Sequence, residues 1–311
     1  MFTNTRNRAL IAAVLTLALA ELAYAQGPVG TRASGMAGAF VAVADDATAV
    51  YWNPAGVATG SIVSVVLDAG RFRLGSSRLQ GAEDQEDTSA IVALSATSFG
   101  LAYYRLGTYV TSAEPAVSGH DSREEVGHSV HALTTNTAGV SLVQSIGHNI
   151  VVGVTPKFVW AAGARKGDVD AGVMVWVNHV RLGVVGRNLT TPEFGDDSSP
   201  FELNREVRVG GAWGSGWTGI SRVIVAVDGD VMSRPTPDGD RRDVAAGLET
   251  WWMNHRLGLR GGVRRSTIGD ARAAVAAGIS AGLKPGMLWE AHVVRGREDE
   301  FSWSVGVRMT F

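Results

Sequence analysis

From residue 61 to the end of the chain, apolar and polar side chains alternate with a period of two. The last segment shows this most plainly. Phe301, Trp303, Val305, Val307, Met309 and Phe311 fall on one face, and Ser302, Ser304, Gly306, Arg308 and Thr310 on the other. Val223, Val225, Val227 and Val231 alternate in the same way with Arg222, Asp228 and Asp230, and Leu257, Leu259 and Val263 with Arg256, Arg260 and Arg264. No helical period competes over these stretches, so they predict strands. The predicted spans are 61–73, 88–97, 99–110, 130–146, 150–161, 167–177, 180–188, 203–214, 220–232, 243–253, 256–264, 271–282, 287–295 and 300–311. Connections after the even-numbered strands are short. Those after the odd-numbered strands are mostly longer and polar, as in 74–87 and 111–129. Short periplasmic turns alternating with longer outer loops, with an even strand number, are the mark of an outer-membrane barrel.

The fold class expected is therefore all-β: a 14-stranded antiparallel transmembrane β-barrel with an N-terminal plug, or hatch. Strands of roughly 9 to 13 residues are long enough to cross the hydrocarbon when tilted, and only a closed barrel leaves no unpaired edge in lipid. Aromatic placement fits an interfacial girdle. Trp213, Trp217, Trp251, Trp252 and Trp289 fall near predicted periplasmic ends, and Trp160 and Trp303 near outer ends.

Composition narrows the setting. Charged residues make up 19% of the chain, there is no cysteine, and the formal net charge is −2. No basic stripe stands out, which argues against a nucleic-acid partner. Arg6 and Arg8 precede an apolar run from Ala9 to Ala20, and Ala23-Tyr24-Ala25 is an A-x-A cleavage site. Residues 1–25 read as a signal peptide, and the expected location is the outer membrane of a Gram-negative type envelope. Residues 61–311 form the barrel and residues 26–60 the hatch. The hatch is rich in Gly and Ala, with a short helix expected around Gly35 to Ala44, ended by Asp45-Asp46 and Asn53-Pro54.

With the apolar face turned to lipid, the other face lines the lumen. Its candidate charges are Arg208, Arg256, Arg260, Arg264, Glu290 and Arg308, together with Asp68, Arg105, Lys157, Asp168, Asp170, Arg181, Arg187, Glu206, Asp228, Glu249 and His292. Confined charges of both signs are expected to pair. Arg256, Arg260 and Arg264 on one strand could instead line a path for an anionic head group. No nucleophile elbow or converging metal set is apparent, so the chain reads as no enzyme, with no cofactor and no metal.

The stretch from Gly30 to Gly56, GTRASGMAGAFVAVADDATAVYWNPAG, resembles the hatch of the FadL-like outer-membrane transporters of fatty acids and hydrophobic compounds, on the PorV/PorQ-like branch. Asn53, Pro54 and Ala55 match that family's hatch motif. Residues 100–105 and 180–189, and the aromatic C-terminus, look similar too. The resemblance implies a barrel closed by the hatch, past which hydrophobic molecules diffuse, often toward a lateral opening. It puts a candidate ligand pocket near Phe40, Tyr51 and Trp52. Phe311 looks like the C-terminal signal read by the barrel-assembly machinery. The chain is shorter than typical fatty-acid transporters and its outer loops are mostly brief, which leaves the fatty-acid substrate open.

Two functions compete. The first is passive uptake of a hydrophobic or amphipathic small molecule past the hatch. The second is a non-transporting, PorV-like barrel acting as a partner in type IX secretion or envelope organisation. A general porin is a third reading, opposed by the plug. Expected partners are outer-membrane lipid, the barrel-assembly machinery during biogenesis, a hydrophobic ligand and, on the second reading, an envelope or secretion protein.

Overall fold

A computed structural model describes residues 24–26, 29–73, 86–114, 127–195, 201–215, 222–236, 239–269, 272–297 and 300–311. Residues 1–23, most of the expected signal peptide, lie outside that set, as does Trp217. The alternating segments form fourteen strands: β1 Val63–Arg73, β2 Glu86–Ala96, β3 Phe99–Glu114, β4 Gly127–Ile146, β5 Ile150–Ala161, β6 Ala164–Val177, β7 Val180–Arg187, β8 Glu206–Gly214, β9 Arg222–Asp230, β10 Asp243–Trp252, β11 Leu257–Ser266, β12 Ala273–Lys284, β13 Met287–Gly296 and β14 Phe301–Thr310. Each pairs antiparallel with its sequence neighbours, and β14 closes on β1 with Phe301 opposite Arg73 and Thr310 opposite Ser64. The C-terminal Phe311 extends this closure, its N–H donating to the Val63 carbonyl at 2.9 Å.

The barrel faces follow the period-two pattern. Val92, Phe158, Leu182, Val227, Val275 and Val305 are exposed on the outside, while their sequence neighbours are mostly buried. Burying such an exterior in lipid is what a membrane-spanning barrel requires. Trp213, Trp289 and Trp303 stand on that outer wall. Trp251 does not: it points inward and is buried, with the Arg260 and Arg308 guanidiniums each 5.5 Å from its ring. β3 and β4 run further than the hydrophobic pattern, to Glu114 and back from Gly127, because their ladder continues after the lipid-facing pattern has faded.

The lumen is filled by residues 29–57, nearly all of them buried. Instead of a helix over 35–44, the hatch has a short one at Thr31–Gly35, another at Ala49–Trp52 and a 3-10 turn at Pro54–Thr59. The first helix ends where Ala37 and Gly38 adopt φ of 55° and 82°, a left-handed pair that no helix can continue through.

Candidate functional site

The hatch seats on the wall where the wall has no side chains. Inward-facing Gly153 and Gly172 are direct cross-strand partners, as are Gly183 and Gly210, and Gly247 and Gly262. A Cβ on Gly153 would stand 2.5 Å from the Pro54 carbonyl carbon, and one on Gly262 2.5 Å from that of Met36. A Cβ on Gly183 would stand 2.8 Å from the Val41 carbonyl oxygen. These glycines let the hatch, by backbone or by side chain, lie directly on barrel backbone.

The Asn53-Pro54-Ala55 triplet is the fastener on one side. Asn53 Nδ2 donates to the Val41 carbonyl within the hatch (3.0 Å) and to the Val173 carbonyl of β6 (3.3 Å). Its Oδ1 accepts from the Ala55 N–H at 3.2 Å, capping the 3-10 turn that Pro54 begins. Ala55 packs on Val151 and Met174 of the wall.

On the opposite side the hatch is held by charge. Arg32 makes a two-pronged contact to Glu249, Nε to Oε2 at 2.7 Å and Nη2 to Oε1 at 2.8 Å, and reaches Asp46 at 3.1 Å and Asp45. Glu249 also accepts from Arg260 at 2.9 Å, and Arg260 and Arg308 converge on Glu290 at 2.9 and 3.1 Å. Three guanidiniums thus face four carboxylates with almost no exposed atom among them, the geometry in which buried charge is tolerated. Asp228 Oδ2 accepts from the Phe40 and Val41 backbone N–H groups at 2.7 and 2.8 Å, and Asp68 Oδ2 from that of Thr31 at 2.6 Å. The hatch carboxyl of Asp45 feels burial most, which pushes its pKa up, yet Arg32 and Arg181 hold it below its ordinary value of 3.8.

The candidate lumen charges therefore divide. Arg260, Glu290 and Arg308 belong to the hatch-holding network. Arg208 and Arg264 lie nearer the outer ends, pairing with Asp230 at 2.9 Å and with Glu300. Arg256 is a correction. It is exposed in a periplasmic turn, because Met253, Asn254 and His255 take positive φ and delay the strand to Leu257. Arg105 is another: it shares the outward face of β3 with Leu101 and Tyr103, while Tyr104 takes the inward position.

Tyr51 and Trp52 line a cavity of about 110 Å³ on the outer side of the hatch, and Phe40 does not. Phe40 is fully buried behind Trp52, ring centroids 6.0 Å apart and edge-on. Phe72 and Val294 add apolar wall to the cavity, and Arg187, Arg208, Arg234 and Arg264 add charge. Of this set the alternation points to Arg187, Arg208 and Arg264 and the hatch resemblance to Tyr51 and Trp52, whereas Phe72, Val294 and Arg234 carry no such signal. Below the hatch, a cleft of about 290 Å³ between Ala42-Val43 and the periplasmic ends of β7–β9 carries Arg181 and Arg222. The wall also changes above the hatch: the β2–β3 ladder stops at Ser89 opposite Leu106, and beyond it residues Tyr24–Gln26 pair with 108–110 of β3.

No family model matches the chain, and no curated protein matches its sequence. Solved structures do resemble its fold. The CymD monoaromatic hydrocarbon channel superposes with a TM-score of 0.65 at 11% identity, covering 91% of this chain and 97% of that one. The P. putida toluene transporter TodX gives 0.61 at 11% identity, with 91% and 98% covered. A Pseudomonas aeruginosa FadL homologue gives 0.57 at 10% identity, with 92% and 99% covered. At these identities the likeness is one of fold.

Proposed function

We propose that this protein is an outer-membrane channel for passive uptake of hydrophobic or amphipathic small molecules past its N-terminal hatch. The observation that carries the reading is the cavity of about 110 Å³ against Tyr51 and Trp52, on the outer side of the hatch that fills the middle of the lumen. A pocket part apolar, with a few placed polar groups, is the usual form of a small-molecule site. The same filling argues against a wide water channel. The structural neighbours, a monoaromatic hydrocarbon channel and toluene transporters, support ligands of about one ring. Assignment to the PorV/PorQ-like branch rests on the resemblance of the hatch, of residues 100–105 and 180–189 and of the aromatic C-terminus.

The test is flux into proteoliposomes. Labelled toluene should enter faster than into protein-free vesicles, while a sugar of similar size should not. Equal entry of both probes would make the protein a porin, and entry of neither would end the uptake reading.

A further inference from the structure

The outer cavity holds more cationic donors than a neutral hydrocarbon could use. Arg187 donates through Nη2 to Glu206 at 2.6 Å, while its Nε and Nη1 are buried without a hydrogen-bond partner and its guanidinium lies 4.4 Å from the Tyr51 ring centre. Arg264 reaches Glu300, and its Nε is likewise buried and unpartnered. Arg234 divides between Glu206 at 3.4 Å and Asp243 at 3.0 Å, and Arg241 also turns to Asp243, at 2.8 Å. With Arg208 on Asp230, five guanidiniums share four carboxylates among the described residues. Each guanidinium carries five N–H donors in a fixed fork. Donors left over in a confined space favour an incoming anion, because an unpaired buried charge is costly. The facing wall is aromatic: Tyr51, Trp52 and Phe72. The volume, about 110 Å³, is of the order of the ~150 Å³ that admits one benzene.

We propose that this cavity binds a small aromatic carboxylate, its ring against Trp52 and Phe72 and its carboxylate on the unpartnered N–H groups of Arg187 and Arg264. This deepens the uptake reading and rests on it, by naming an anionic amphipath as the preferred cargo. A fork of N–H groups recognises the carboxylate, the aromatic wall recognises the ring, and the size excludes a long chain from lying wholly within.

The experiment is titration calorimetry of the purified full-length barrel in an uncharged maltoside detergent, with benzoate, benzamide and benzyl alcohol as probes. Benzoate should bind saturably and at least tenfold more tightly than benzamide, and added salt should narrow the gap. Arg264→Gln should shrink the preference at least fivefold. Arg187→Lys, which keeps the charge but loses the fork, should weaken it by a smaller factor; heat-modifiable migration on gels checks that each variant is folded. Benzamide binding as tightly as benzoate, or an unchanged preference in both variants, overturns the proposal. If only the neutral probes bind, the carboxylate proposal fails and uptake of neutral aromatics stands. If no aromatic probe binds and none crosses proteoliposomes, both readings fail.

Discussion

Replacing Arg32 by Met should loosen the hatch while leaving the barrel closed, and the size of the effect can be worked from its contacts. The guanidinium satisfies both Glu249 oxygens and bonds Asp46 and Asp45, and none of these groups has appreciable access to water. Breaking a buried ion pair by removing one partner costs about 3–5 kcal/mol. Glu249 would still hold Arg260 at 2.9 Å, and Asp46 would keep the Thr48 N–H at 2.9 Å, so the lower end applies. About 3 kcal/mol is roughly a hundredfold in the population of the undocked hatch, at 1.4 kcal/mol per decade. Native-state amide exchange in micelles reads this directly, since exchange from a locally opened segment follows its opening free energy. Protection over residues 31–44 should fall about a hundredfold, with protection in β1 and β14 unchanged. Planar-bilayer recordings of the same variant should show bursts of conductance absent from the parent. Arg32→Lys should give an intermediate loss, because an ammonium cannot span both oxygens of Glu249. Hatch protection within about threefold of the parent in Arg32→Met would refute the idea that this network docks the hatch.

Other substitutions test the remaining contacts. Gly153→Ala puts a methyl 2.5 Å from the Pro54 carbonyl carbon and 2.6 Å from the Ala55 nitrogen, backbone that cannot swing aside, and should destabilise the docked hatch by about 1–3 kcal/mol. Gly167→Ala, where nothing lies within 4 Å, should leave the exchange of the hatch unchanged. Asn53→Ala removes two donated bonds and one accepted bond and should cost about 2–3 kcal/mol, read in the same exchange experiment. Arg256→Gln, in an exposed turn, should shift thermal stability by no more than about 0.5 kcal/mol. The pH dependence follows from Asp45. Its carboxyl is held below the ordinary value of 3.8, so the stability it lends is complete above that pH and is lost as pH falls through the lowered folded value. Hatch protection should hold down to about pH 4 and drop below it. A loss already complete at pH 6 would assign the hatch to other groups.

How far the sequence could be read depends on what enforces each feature. Strands were legible because lipid and lumen impose a period of two on every one, and β5 runs over 150–161 as the pattern alone predicts. The hatch fold was not, since the left-handed pair at Ala37 and Gly38 that ends its first helix has no hydrophobic period to announce it. Arg105 and Arg256 misled for a local reason each: adjacent tyrosines blur the faces of β3, and a turn residue was counted in phase with the strand after it. Asn53 was legible as a motif, but its bond to the Val173 carbonyl comes from a residue far along the chain.

A finer signal was present in the inward positions themselves. Descending from the outer end, β6 presents Asp168, Asp170, Gly172 and Met174, and β8 presents Glu206, Arg208 and Gly210. β11 presents Arg264 and then Gly262, and its partner β10 presents Asp243, Ala245 and then Gly247. Charge comes first, then glycine. A glycine facing a packed lumen has no side chain to contribute, so what fills the space must come from elsewhere, and here it is the hatch: Asn53 and Pro54 at Gly172, Val41 at Gly210, and Met36 at Gly247 and Gly262. The glycine level therefore marks the height at which the hatch docks. Charges on its outer side, such as Arg187, Arg208 and Arg264, face the cavity, whereas Glu249, Arg260 and Glu290, at or below it, grip the hatch. Arginines that look interchangeable along one strand are thus separated into two jobs by the glycine between them: Arg260 holds the hatch, and Arg264 is left to meet what arrives from outside.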